Sequence, residues 1–187
     1  MGSLTARLAS RNRHKLREVE AALPGWTLRL LDAEDYPPEA GHTYEENARA
    51  KARFGRRLAA GDEWVLGEDS GIEVDALGGR PGVESARWAG GEHVSRLLEA
   101  LEGADDRHAR YVCELVAIAP DGRERRGRGV LEGRIAEQAR GDEGFGFDPV
   151  FVPAGETRTV AELGDDWKAR NSHRARAARA LADAVSR

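Results

Sequence analysis

Residues 64–87, WVLGEDSGIEVDALGGRPGVESAR, decide how the middle of the chain folds. An apolar run, residues 64–66, is typical of a buried strand and leads into two carboxylates, Glu68 and Asp69. Residues 78–82, GGRPG, predict a tight turn soon afterwards. Carboxylates at the end of a buried strand are costly unless a cation lies near them, and Mg²⁺ prefers carboxylate oxygens. The stretch therefore predicts a metal-assisted reaction site at a strand end.

The composition indicates a globular protein and argues against two classes of partner. The chain has 187 residues, 40% hydrophobic and 33% charged, which predicts one domain over residues 1–187, with room for two lobes. A net charge of −4 argues against general binding to duplex DNA, and no apolar run reaches the length of a membrane span. We therefore expect neither nucleic acid nor a membrane as partner. A single cysteine, Cys113, and an N-terminus without the apolar core of a signal peptide predict a cytoplasmic protein.

Strand and helix signals alternate along the chain and predict an α/β fold with a mixed sheet. Thr43 and Glu46 form a capping-box pattern at the start of the second helix, and residues 120–122 predict a hairpin turn. The predicted strands cover residues 4–9, 26–31, 64–66, 109–119 and 125–137. The predicted helices cover residues 15–23, 44–60, 95–101 and 165–185.

Two basic segments are candidates for phosphate binding. Residues 10–15, SRNRHK, follow a strand and open a helix, where backbone N–H groups bind anions and Lys15 adds positive charge. Lys51 lies one helical turn after Asn47, from where it could hold a phosphate at the carboxylate site. The alternatives are an asparagine-capped helix with a solvated lysine and an ordinary surface helix.

Two further segments are candidates for binding a flat base. Residues 144–149, GFGFDP, interleave glycines with aromatic rings, which exposes ring faces for stacking, and Asp148 could hydrogen-bond a base edge. On the last predicted helix, Lys168 and Ser172 lie one turn apart and can face one pocket, and His173 and Arg174 offer donors for a phosphate or for the 6-oxo oxygen of a purine. The alternatives are a core-packing turn and a solvated basic helix face.

Taken together, these segments resemble the inosine triphosphate pyrophosphatase family, also called the Ham1-like family, in order, spacing and total length. The resemblance covers nearly the whole chain. Its most specific parts are residues 69–71 (DSG), 76–79 (ALGG), 81–83 (PGV), 85–87 (SAR) and 144–149 (GFGFDP). The resemblance implies an elongated, two-lobed fold of the Maf/Ham1 type, with helices flanking a mixed, twisted sheet.

The resemblance also implies an activity and a set of functional residues. Proteins of this family hydrolyse the non-standard purine triphosphates ITP, dITP and XTP to the monophosphate and pyrophosphate, need Mg²⁺ and usually form homodimers. Asp69 is the implied catalytic carboxylate, and Glu39, Glu68 and Asp69 are the implied metal ligands. The implied substrate-binding residues are Ser10, Arg11, Asn12, Arg13, His14, Lys15, Lys51, Ser70, Phe145, Gly146, Phe147, Asp148, Lys168, His173 and Arg174.

The chain departs from the family's common pattern at a few positions. Glu68 stands where many bacterial members carry Asp, and Phe147 replaces a common Tyr, which keeps the ring and removes a hydroxyl. Ser10 and Arg11 replace a Thr-Gly or Thr-Ser pair, and Asn171 replaces a common Ile. None of these changes removes a group that the chemistry needs.

Three other functions are alternatives. A Maf-like pyrophosphatase acting on pyrimidine or modified nucleotides would share the fold, but residues 145–148 and 172–174 argue against it. A non-catalytic nucleotide sensor would not need Asp69 together with Lys15 and Lys51. A phosphatase releasing orthophosphate differs in its product.

Overall fold

The computed structural model describes residues 4–88 and 90–187, in which six strands and six α-helices are interspersed. The strands are β1 (Leu4–Leu8), β2 (Trp26–Leu30), β3 (Trp64–Val74), β4 (His108–Ile118), β5 (Glu124–Ile135) and β6 (Phe151–Pro153). The helices are α1 (Arg13–Ala21), α2 (Tyr44–Arg56), α3 (His93–Ala100), α4 (Val160–Leu163), α5 (Asp165–Asn171) and α6 (His173–Val185). No helix among these described residues has the length and apolar character needed to cross a bilayer.

All six strands belong to one open sheet, in the order β2-β1-β3-β4-β5-β6. β1 pairs in parallel with both β2 and β3, whereas β5 and β6 are antiparallel. The parallel pair β1–β2 requires a crossover, and α1 supplies it. The predicted α/β fold with a mixed sheet and flanking helices is thus confirmed.

The chain divides into two compact units, and β3, β4 and β5 each contribute residues to both. The first unit comprises the described residues up to Asp69, with Cys113–Gly129 and His173–Arg187. Its main core packs strand side chains such as Leu8, Leu66 and Leu115 against Val19 of α1 and Leu181 of α6.

The second unit comprises Ser70–Val112 and Val130–Ser172, apart from Ala89. Its core joins Ile72 and Tyr111 of the sheet to Leu97 of α3 and to Phe147 and Phe151. Each unit therefore has an apolar core of its own.

The prediction that the third strand ends at residue 66 is wrong, because β3 continues to Val74. Glu68 and Asp69 therefore lie inside a strand, where neighbouring side chains point to opposite faces. The Asp69 side chain contacts α2, while Glu68 contacts α1 and α6. The strand tolerates two buried carboxylates because each face supplies cationic or amide partners.

Gly67 sets the distance between α2 and β3. A side chain there would place its first carbon 1.9 Å from the Ala48 carbonyl oxygen and 2.6 Å from the Ala52 backbone nitrogen. The helix presents only alanines to the strand at this point, and both are fully buried. This close packing brings the polar side chains of α2 next to Asp69.

We expect Gly67→Ala to lower the free energy of unfolding by about 1–3 kcal/mol, because the added methyl group forces α2 away from β3. Gly61→Ala is the matched control, since nothing lies within 4 Å of a side chain there, and its change should stay within about 0.5 kcal/mol. Urea unfolding measures both. Equal urea midpoints for the two variants would show that α2 can move away from β3 without a loss of stability.

The predicted final helix over residues 165–185 is in fact two helices. Ser172 separates α5 from α6 and has an extended backbone, with φ −62° and ψ 161°. Lys168 consequently belongs to the second unit, while His173 and Arg174 open a helix of the first. The sequence pattern missed this break because residues 170–174, RNSHR, contain neither the proline nor the glycine that usually marks a helix end.

Candidate active site

Asp69 is the centre of a buried polar group in the first unit. Only 3% of the residue is exposed. Its Oδ2 accepts a hydrogen bond from Asn47 Nδ2 and its Oδ1 accepts one from Lys51 Nζ, each at 3.0 Å. Asn47 and Lys51 are four residues apart on α2, so one helical face supplies both donors.

The start of α2 fixes the orientation of Asn47. Thr43 and Glu46 form the predicted capping box, in which Thr43 Oγ1 accepts from the Glu46 backbone N–H at 3.1 Å. The backbone N–H of Gly41 donates to Asn47 Oδ1 at 2.8 Å. Because the amide oxygen is engaged there, the amide nitrogen turns towards Asp69.

Lys51 joins two carboxylates. Its ammonium lies 2.5 Å from Glu39 Oε1 and 3.0 Å from Asp69 Oδ1, and it also donates to the Glu68 carbonyl oxygen at 3.0 Å. Burial alone would lower the pKa of Lys51, but the charges of Asp69, Glu68 and Glu39 outweigh it and raise the pKa. Lys51 therefore stays protonated and positively charged between Glu39 and Asp69.

The pKa of Asp69 is raised above its usual value. Burial is the largest cause, Lys51 opposes it, and the nearby charge of Glu68 adds to it. A carboxylate with a raised pKa is a better proton acceptor, provided that it is ionised at the working pH. Asp69 is thus suited to take a proton from a water molecule.

Glu68, on the opposite face of β3, has a different environment. Lys15 Nζ lies 2.7 Å from its Oε2, and Arg174 Nε donates to its Oε1 at 3.0 Å. Burial would raise the pKa of Glu68, but Lys15 and Arg174, followed by Lys51, reverse the shift and hold the pKa well below its usual value. Glu68 is therefore a permanent anion that anchors two cations.

Two neighbours complete this buried charge group. Arg174 also donates from Nη1 to Glu18 Oε2 at 3.1 Å, which ties α6 to α1. Cys113 donates weakly to Glu68 Oε1 at 3.7 Å, and burial together with the charge of Glu68 raises the pKa of its thiol. The thiol is therefore a neutral part of the core.

The loop before α1 shows the expected asparagine cap, but its lysine is not solvated. Asn12 Oδ1 accepts from the backbone N–H groups of His14 and Lys15 at 2.9 and 3.2 Å. Those two amides thus already have an acceptor. Arg11, which is exposed, lies over the Tyr36 ring at 5.3 Å from its centroid.

The second unit contains a separate polar group centred on Asp148. Its Oδ2 accepts from Lys168 Nζ at 2.8 Å and from the Phe145 backbone N–H at 2.9 Å, and its Oδ1 accepts from the Tyr111 hydroxyl at 3.2 Å. Lys168 Nζ lies 4.7 Å from the centre of the Phe145 ring. The arrangement places an ammonium beside an aromatic face.

The two predicted stacking rings differ in accessibility. Phe145 is partly exposed, whereas Phe147 is only 5% exposed and belongs to the core, where its ring contacts His93. Phe145 is therefore the ring available to a base. Gly146 between them has a positive φ of 64°, which favours glycine.

The structure thus gathers the predicted site residues into two groups. In the first unit, contacts connect Lys15, Glu39, Lys51, Glu68, Asp69 and Arg174. In the second, they connect Phe145, Asp148 and Lys168. Ser70 is half-buried on β3, His173 is buried at the start of α6, and Arg13 and His14 are exposed.

Three partners were absent from the predicted site. Asn47 has a detectable signal, because it precedes Lys51 by one helical turn on a capped helix. Glu18 and Tyr111 have no such signal in the sequence. Glu18 contacts Arg174, 156 positions away, and Tyr111 contacts Asp148, 37 positions away.

Comparisons with known proteins agree on one relationship. A family model described as the Ham1 family matches residues 6–184. A dITP/XTP pyrophosphatase from Deinococcus deserti is 44% identical over 180 residues, covering 93% of this chain and 86% of the relative. One from Symbiobacterium thermophilum is 46% identical over 178 residues, covering 91% and 89%.

Solved structures give the same result. The Ham1 protein of Staphylococcus aureus superposes with a TM-score of 0.82 at 32% identity, covering 97% of this chain and 98% of that one. A nucleoside-triphosphatase, or dITP/XTP pyrophosphatase, from Mycobacterium abscessus superposes with a TM-score of 0.72 at 38% identity, covering 95% and 97%.

Proposed function

This chain belongs to the Ham1 family, and on that premise we propose that it hydrolyses ITP, dITP and XTP to the nucleoside monophosphate and pyrophosphate. The reaction would remove deaminated purines from the nucleotide pool. The observation that carries the proposal is the buried Asp69 carboxylate, which Asn47 and Lys51 orient and whose pKa is raised.

We propose Mg²⁺ as the divalent metal ion. Across residues 4–88 and 90–187, no three histidine, cysteine or acidic side chains are placed together as a ready metal cluster. Glu39 and Asp69 nevertheless share one cation, the Lys51 ammonium, and carboxylate oxygens are the ligands Mg²⁺ prefers. These two residues fit the ion best, whereas both oxygens of Glu68 already face cations. When bound, the ion would offset charge on the phosphates.

The side chains of the chain would then share the hydrolysis of the α–β phosphoanhydride. The oxygen of a water molecule bonds to the α-phosphorus, its proton passes to Asp69, and the bond to the pyrophosphate breaks. Asn47 holds the carboxylate in place. Lys15 and Lys51 offset the negative charge that develops on the phosphates, and residues 10–14 complete the proposed phosphate-binding segment.

Base recognition is the proposed role of the second polar group. The sequence predicted His173 and Arg174 as donors to the 6-oxo oxygen, but Arg174 already donates to Glu68 and Glu18. We propose instead that the Phe145 face stacks on the purine and that Lys168 donates to the 6-oxo oxygen, where the amino group of adenine cannot accept. Ser70, Gly146, Phe147, Asp148, His173 and Arg174 complete the proposed substrate-binding set. We further propose that residues 1–187 act as one domain, as a cytoplasmic homodimer on free nucleotides rather than nucleic acid or membranes.

A product assay tests the function. We expect incubation with Mg²⁺ to convert ITP and XTP to monophosphate and pyrophosphate much faster than ATP, since the proposed donors favour a 6-oxo purine over adenine with its 6-amino group. Chromatography of the products measures the rate of hydrolysis and identifies the bond that is cleaved. Orthophosphate as the first product, or equal rates on ATP and ITP, would contradict the proposal.

The pH dependence tests the role of Asp69. Its carboxylate must be ionised to accept a proton, so activity is lost as the pH falls through its pKa. Lys51 lowers that pKa, as does the hydrogen bond from Asn47, which has the smaller effect. We therefore expect Lys51→Met to move the acid limb of kcat/KM to higher pH, and Asn47→Ala to move it less in the same direction. An unmoved limb in Lys51→Met would place the titrating group elsewhere.

A further inference from the structure

We propose that Tyr111 is a positioning residue for base selection, because its hydroxyl holds the carboxylate that places Lys168 beside Phe145. This inference rests on the proposed function and extends it to a residue outside the predicted site. In this proposal Tyr111 does not contact the substrate, because it acts by holding the Asp148 carboxylate in place.

The three donors to Asp148 divide between its two oxygens. Lys168 and the Phe145 backbone N–H both donate to Oδ2, at 2.8 and 2.9 Å. The Tyr111 hydroxyl donates to Oδ1 at 3.2 Å. The carboxylate of an aspartate can rotate about its Cβ–Cγ bond. Donors that contact Oδ2 alone leave Oδ1 free to move in such a rotation. The hydrogen bond from the Tyr111 hydroxyl to Oδ1 opposes it.

Tyr111 is well placed to hold Asp148 still. It lies on β4, only 6% exposed, and its ring packs against Phe151 with the centroids 4.4 Å apart. Asp148 is itself only 4% exposed. A buried carboxylate that loses a donor has no bulk water to replace it, so the hydroxyl matters more here than on a surface.

The loop that carries Phe145 packs closely against the Asp148 side chain. Gly144 has a positive φ of 81°, and a side chain there would come within 2.3 Å of Asp148 Oδ2. The loop therefore wraps around the carboxylate, and any turn of Asp148 is transmitted to Phe145 and to Lys168. These are the groups proposed to stack on the base and to recognise its 6-oxo oxygen.

Tyr111→Phe removes only the hydroxyl and tests the inference. We expect KM for ITP to rise about five- to tenfold with kcat within twofold, and the ITP-over-ATP ratio of kcat/KM to fall by a similar factor. Binding of inosine monophosphate without Mg²⁺ should weaken about five- to tenfold by calorimetry, which reports base recognition without turnover.

Ser85→Ala is the matched control, because it also removes a buried hydroxyl from the second unit. Ser85 Oγ donates to the Gly82 carbonyl oxygen at 2.6 Å and accepts from the Ile72 backbone N–H at 2.9 Å, and both of these partners are backbone groups. We expect it to lower thermal stability while the ITP-over-ATP ratio and the affinity for inosine monophosphate stay unchanged.

The outcomes separate the inference from the proposed function. Unchanged KM, nucleotide affinity and substrate ratio in Tyr111→Phe would overturn the inference while wild-type hydrolysis of ITP still stands. Equal losses of selectivity in Tyr111→Phe and Ser85→Ala would also overturn it, because the effect would then be general loosening. Wild-type protein without preference for ITP would instead overturn the proposed function.

Discussion

Asp69→Asn is expected to lower kcat for ITP hydrolysis by about 10²- to 10⁴-fold, because the variant retains the shape of the side chain but cannot accept the proton of the attacking water. Steady-state kinetics with ITP and Mg²⁺ measure the loss. Since the amide oxygen can still accept a hydrogen bond from one of the two donors, Asn47 or Lys51, binding of inosine monophosphate should change far less than kcat.

Asp69→Asn should not unfold the protein. The pKa of Asp69 is raised in the folded state, so the ionised carboxylate lowers stability as the pH rises above its unfolded value of 3.8. A neutral side chain removes that cost. Asp75→Asn is the control, because Asp75 is an exposed carboxylate paired with His108. Turnover should be normal in that variant, and normal turnover in Asp69→Asn would mean that the catalytic carboxylate is another residue.

Glu68→Gln is expected to cause the largest loss of stability, about 3–5 kcal/mol at neutral pH, because it leaves Lys15 and Arg174 buried without their shared counter-charge. Denaturant unfolding measures the difference. Glu73→Gln is the control, since Glu73 pairs with a half-exposed Arg110 at 2.7 Å and should cost about 1 kcal/mol or less.

The loss in Glu68→Gln should depend on pH with a defined sign. The pKa of Glu68 is lowered by folding, so its stabilising effect is complete above the unfolded value of 4.5 and is lost as the pH falls towards the folded value. The gap between wild type and variant should therefore narrow below about pH 4.5. A gap that is constant with pH, or equal losses in Glu68→Gln and Glu73→Gln, would contradict the assigned charge pair.

Local signals were sufficient to predict much of the fold. The Thr43–Glu46 capping box begins α2 at the predicted residue, and the turn at residues 120–122 joins β4 to β5 as expected. These features depend on contacts between residues close in sequence, so a window of a few residues contains their cause.

Features that depend on distant partners were missed. The prediction ended the strand before Glu68 and Asp69, but Lys51 and Arg174, 18 and 106 residues away from their respective partners, neutralise these carboxylates and let the strand continue. The same limitation concealed that Glu68 and Asp69 face opposite ways, since the prediction placed them beyond the strand. The candidate residues themselves could be chosen from motifs, whereas their partners needed the tertiary structure.

Gly67 has a consequence for folding fidelity. A slip of β3 by one residue would exchange the faces of Glu68 and Asp69 and bring a side chain to the place where α2 has room only for hydrogen. The misaligned strand would therefore be unable to dock the helix that carries Asn47 and Lys51. Deletions within β3 should accordingly be far more damaging than deletions in the loops, because a chain that has docked α2 has also selected the correct register.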